Sequence, residues 1–95
     1  MNDEIKAEVK NLLNGLGEAY LSCGTALAES KERAENWARQ IEAGTLTPKF
    51  LVYLLQSEKN TVAQILLTAE IKAKATIQSA LDLIEGLIKK LSKLY

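Results

Sequence analysis

The 95-residue chain has no histidine, and only one cysteine, one proline and one methionine. Without histidine it lacks the commonest general base. It also lacks Ser/His and Cys/His nucleophile pairs and the usual zinc and di-iron ligand sets. Cys23 alone can form neither an intrachain disulfide nor a thiolate metal cluster. There is no excess charge of either sign: 12 basic and 12 acidic side chains give a net charge of zero. A dedicated nucleic-acid binder relies on many Lys and Arg contacts to phosphate, so nucleic acid is the least favoured partner. No uncharged stretch approaches the length of a membrane span. The acidic start, Met1-Asn2-Asp3-Glu4, is unlike a signal peptide. A cytoplasmic location is the expectation.

No Gly-rich phosphate loop is present. Asn14-Gly15-Leu16-Gly17 lacks both the lysine of a P-loop and a preceding strand. The carboxylates of the second half, Glu58, Glu70, Asp82 and Glu85, are mostly a dozen residues apart and form no acid/base pair. The chain is therefore expected not to be an enzyme, with no catalytic residue, no cofactor and no metal. Cys23 falls within an apolar stripe, where a buried, inert thiol is the expectation.

What the sequence does contain is helix. Hydrophobic residues are 47% and charged residues 25%, and Ala, Leu, Lys and Glu abound. From Val62 the apolar positions run Leu66, Ala69, Ala73, Ile77, Ala80, Ile84, Leu87, Leu91 and Leu94, in steps of three and four. That spacing holds one heptad-like stripe on one face of an α-helix. Ile65, Leu81, Leu83 and Ile88 widen it beyond a coiled-coil seam. The first half repeats the pattern through Ile5, Val9, Leu12, Leu16, Tyr20, Cys23, Leu27, Ala34, Trp37 and Ile41, with Ser30 interrupting.

Between the halves the punctuation is clear. Gly44 suits the left-handed position past a helix end. Thr47 can cap the next helix, Pro48 fits its first position, and Leu46 with Leu51 can form a hydrophobic staple. At the N-terminus Asn2 can cap a helix whose first turn holds Asp3 and Glu4. The expected fold is all-α: a long antiparallel helical hairpin, with helices at about 3–43 and 48–94, in a single domain. Two readings of Asn14 to Gly17 compete, a break there or glycines inside one long helix. The stripe keeps phase across them, which favours the continuous helix.

Pairing residue i with about 91 minus i sets Gly17 and Gly24 against the zone from Val62 to Ala73, and predicts a close helix approach at those glycines. The arms carry opposite charge: 8 acidic and 5 basic residues over 1–42, against 4 and 7 over 43–95. Two helices alone cannot bury faces this wide, so self-association into a four-helix bundle is expected. Its interface would comprise Leu66, Ala69, Ala73, Ile77, Ile84, Leu87 and Leu91. Trp37, Ile41, Leu46, Phe50 and Tyr53 should cluster at the turn and close the bundle tip. Should Glu58 or Asn60 point inward, its expected role is to fix register.

Three segments together resemble the N-terminal pattern of phasins, helical proteins that coat polyhydroxyalkanoate granules. They are Leu12-Leu13-Asn14-Gly15-Leu16-Gly17, Lys31-Glu32-Arg33-Ala34-Glu35 and Gly44-Thr45-Leu46-Thr47. The resemblance covers Leu12 to Pro48 and implies a surface-binding, oligomerising, non-catalytic protein. The segment Leu81 to Tyr95, taken alone, also has the form of a basic amphipathic helix that lies on membranes. The leading functional reading is a structural or adaptor protein that binds itself, with another helical protein as a further partner. The alternative is an amphipathic coat on a membrane or granule surface.

Overall fold

A computed structural model describes residues 2–94, so Met1 and Tyr95, the outer residues of the two terminal segments noted above, lie outside it. The described chain forms four α-helices: α1 (Asp3–Leu21), α2 (Ala28–Ala43), α3 (Pro48–Thr68) and α4 (Ile71–Ser92). The all-α bundle is present, and one chain supplies all four helices. The continuous helices over 3–43 and 48–94 are each divided, the first at Ser22 to Leu27 and the second at Ala69–Glu70. The physical reason lies in the width of the apolar faces. An arm that doubles back can bury its face against itself and its neighbour within one chain.

The local signals act where the sequence places them. Asn2 Oδ1 accepts from Ile5 N–H at 2.8 Å, and Thr47 Oγ1 accepts from Phe50 N–H at 3.2 Å. Gly44 takes φ 79°, while Gly44 N–H and Thr45 N–H donate to Ile41 and Gln40 carbonyls as in a Schellman end. Lys89 and Lys90 occupy the last turn of α4, where cations suit the dipole.

The first turn depends on Gly24, whose φ of 64° opens a short 3-10 segment, Gly24–Leu27. Ser22 Oγ and Cys23 Sγ donate to the Glu18 and Ala19 carbonyls, which helps satisfy the end of α1. The expected close helix approach at Gly17 and Gly24 is not what the glycines serve. A Cβ added at either one would meet nothing within 4 Å. Gly24 is needed for its backbone angle, and Gly17 sits inside α1 beside open space. The break expected as an alternative at Asn14–Gly15 is likewise absent, since both residues are helical.

The helices run alternately up and down. Lys10 meets Glu42 at 2.9 Å and Lys59 meets Glu85 at 3.9 Å, which makes α1/α2 and α3/α4 antiparallel hairpins. Ile5, Gly44, Leu46, Pro48 and Leu94 surround one cleft, so both chain ends and the middle turn share one end of the bundle. Cys23, Thr25, Ile65, Thr68 and Ala69 line a hollow at the other end, where the two remaining turns lie. The resulting bundle measures 42 × 21 × 16 Å. Its core draws Val9, Leu16 and Tyr20 from α1, Trp37 and Ile41 from α2, Leu51 and Val62 from α3, and Ile77 and Ile84 from α4.

The two glycines should respond oppositely to alanine. Gly17→Ala, at an open position within α1, is expected to raise stability by approaching 1 kcal/mol through helix propensity. Gly24→Ala is expected to lower it by about 1–2 kcal/mol, because a Cβ disfavours the left-handed region. Thermal unfolding followed by circular dichroism checks both signs.

Candidate functional site

Each apolar stripe is interrupted by one buried polar residue, Ser30 on α2 and Glu58 on α3, and the fold brings these together. Glu58 follows Leu51 and Leu55 on the inward face of α3 and is only 3% exposed. A lone carboxylate in that position would carry a large desolvation cost. Two neighbouring helices supply its partners. Arg33 on α2 donates through Nε to Oε2 at 2.8 Å and through Nη2 to Oε1 at 3.3 Å. Tyr20 on α1 donates its hydroxyl to Oε1 at 3.1 Å. Arg33 Nη2 also donates to Ser30 Oγ at 3.0 Å, and no buried side-chain N or O among the described residues lacks a partner.

The electrostatics follow from this packing. Burial, reinforced by the charge and hydrogen bond of Glu58, pushes the Tyr20 hydroxyl well above the ordinary tyrosine range. It therefore stays a proton donor. The hydrogen bond to Glu58, reinforced by that carboxylate's charge, pushes the Arg33 guanidinium further up. The network can tie three helices in one register, the role expected of an inward-facing residue from the polar interruption around Glu58. Asn60 stays exposed. Spacing along the chain does not reveal the partner of Arg33, which lies 25 positions away. The available signal was the paired interruption of the two stripes, by Ser30 and by Glu58.

Cys23 is half-buried and burial pushes its thiol up, the direction opposite to a nucleophilic thiolate. Among the described residues no group of three or more Cys, Asp or Glu side chains is placed to hold a metal ion. No described helix is long and apolar enough to cross a membrane.

The residues expected at a self-association interface divide into two sets. Ile77, Ile84, Leu87 and Leu91 are buried in this chain's own core, while Leu66, Ala69 and Ala73 pack half-buried at its edge near the second turn. The expected tip cluster also divides. Trp37, Ile41 and Leu46 are buried, whereas Phe50 and Tyr53 lie in water on the outer face of α3, stacked with ring centres 6.3 Å apart. As a plug they would point inward. One helical turn apart on α3, they instead face away from the core. At the opposite end of the bundle Leu21, Leu67 and Ile71 are exposed, Ile71 to 88%. The basic C-terminal segment turns Leu81, Ile84, Leu87 and Leu91 into the core, which leaves its lysines outside. Known protein families, curated proteins and solved structures were all compared with the chain, and none matches it.

Two measurements probe the network. Arg33→Ala is expected to destabilise by about 3 kcal/mol, the low end for a broken buried pair because Arg33 is partly exposed. Glu58→Met with Tyr20→Phe removes the buried charge together with its buried donor, and should cost less than Arg33→Ala alone. Urea unfolding ranks them.

Alkaline pH gives the second test. The folded state holds the Tyr20 proton after the unfolded chain has released it. Stability should therefore fall above about pH 10, by up to about 1.4 kcal/mol per pH unit from this group. Tyr20→Phe should flatten that part of the fall in melting temperature against pH.

Proposed function

We propose that the chain is a non-catalytic structural or adaptor protein that acts through helix–helix association, with itself and with another helical partner. The observation that carries this reading is the exposure of three large apolar side chains, Leu21, Leu67 and Ile71, near the end of the bundle that holds the first and third turns. Exposed large apolar side chains of this kind are what an association surface offers. Burying one of them contributes about 1.5–3 kcal/mol. At the far end Phe50 and Tyr53 offer a rigid aromatic pair of the kind that anchors interfaces, held on a capped helix. The phasin-like pattern of residues 12–48 agrees with an oligomerising, non-catalytic protein.

The test is oligomeric state by light scattering over a range of concentrations. A species of twice 10.5 kDa or more is expected. Ile71→Asp should weaken the association by about 30-fold or more while leaving helicity unchanged, since Ile71 contributes nothing to the core. A monomer at all concentrations would overturn the reading. Co-sedimentation with anionic vesicles or polymer granules, alongside a monomeric state in solution, would favour the surface-coating alternative instead.

A further inference from the structure

Resting on the self-association proposed above, we infer its mode: two copies exchange α4. The Ala69–Glu70 turn straightens, α3 and α4 merge into one helix, and each copy's α4 docks into the other copy's bundle.

The turn itself is the first ground. It is two residues long, and the run Ile65-Leu66-Leu67-Thr68-Ala69-Glu70-Ile71-Lys72-Ala73-Lys74 contains neither glycine nor proline. Asn2 and Thr47 cap their helices, but Glu70 makes no capping bond to α4. The first turn of α4 holds no acidic residue and does hold Lys72, a cation at the positive end of the helix dipole. Lys74 Nζ donates to the Leu66 carbonyl across the bend at 3.1 Å, and Lys72 meets the exposed Glu70 carboxylate of the turn at 3.8 Å. Local preference therefore runs towards a continuous helix, and packing within one chain holds the bend. A short connection of this kind invites exchange between copies. The turn between α1 and α2 differs, because Gly24 at φ 64° is built for its bend. That hairpin stays closed.

Phase is the second ground. The inward positions of α3 are Leu51, Leu55, Glu58 and Val62, and those of α4 include Ile77, Ala80, Ile84, Leu87 and Leu91. Half-buried Leu66, Ala69 and Ala73 join the two sets in unbroken steps of three and four. Straightening the turn keeps all of them on one face. The continuity permits straightening, as the same continuity across Gly24 would, and it is the absence of glycine at Ala69–Glu70 that separates the two turns.

The third ground is register. Within one chain Lys59 meets Glu85, which centres the antiparallel α3/α4 packing near position 72. The same packing between two straightened helices places a two-fold axis there, so every contact is repeated by the opposite copy. Ala69 and Ala73 of both chains then lie at the crossing, where small side chains let the helices approach. The two turn ends abut, and Leu21, Leu67 and Ile71 leave the water.

Glu70→Pro is the discriminating variant. Glu70 has φ −62° and ψ 147°, and Ala69 before it is extended, so proline fits the bent chain. Inside a straight helix it does not fit. The variant should remain folded and lose association by more than about a hundredfold. Topology is read separately by placing cysteines at Lys59 and Glu85 in a Cys23→Ser background and treating with a short bis-maleimide. Exchange gives chains linked to each other on denaturing gels at high protein concentration, and chains linked internally on dilution and refolding. A dimer that survives Glu70→Pro and carries only internal links would overturn the exchange and leave self-association standing. A monomer throughout would overturn both. If Glu70→Pro fails to fold, the cross-linking pattern of the otherwise unchanged chain decides alone.

Discussion

The width of the apolar faces governs the architecture. Each half of the chain carries a stripe flanked by further apolar positions, and a face that broad cannot be covered by one other helix. Doubling each half back gives every helix two neighbours, and leaves Val9, Leu55, Ile77 and Ile84 fully buried. The cost is two added turns. The first is met by a glycine in the left-handed region, the second by packing with the Lys74 bond to the Leu66 carbonyl.

Apolar packing on its own is tolerant of sliding, and a bundle of Leu, Ile and Val could settle in several registers. Glu58 adds a directional tie to that packing. In the observed arrangement a guanidinium from α2 and a hydroxyl from α1 reach its carboxylate together. Stability gained from such a buried pair is small or negative against an apolar replacement.

Several features were legible in the sequence because their causes are local. Asn2, Gly44, Thr47 and Pro48 act through their own backbone bonds and angles, and the helix ends fall at those positions. The core face of α4 was legible from spacing alone. The break after Leu21 was obscured because Gly24 sits between stripe positions that keep phase, so a bend and a straight helix leave the same pattern. Ala69–Glu70 carries no local signal at all, since its residues are good helix formers and only tertiary burial bends them. Arg33 carries no local mark of its role, because its partner lies 25 positions away. The fate of Phe50 and Tyr53 depended on which side of α3 faced inward, which Leu51 and Leu55 decide.

The alternating order of helices has a kinetic consequence. Both strong pairings, α1 with α2 and α3 with α4, join neighbours in the chain, so most contacts close over short loops. Chains of this kind collapse early and fold in microseconds to milliseconds. The first hairpin has its own turn and end signals in Gly24 and Gly44, but its broad apolar face is covered only when the second hairpin docks. Tyr20 and Arg33 belong to that hairpin and Glu58 to the second, so their tie can close only when the two dock. The polar network therefore closes between the two hairpins and within neither one.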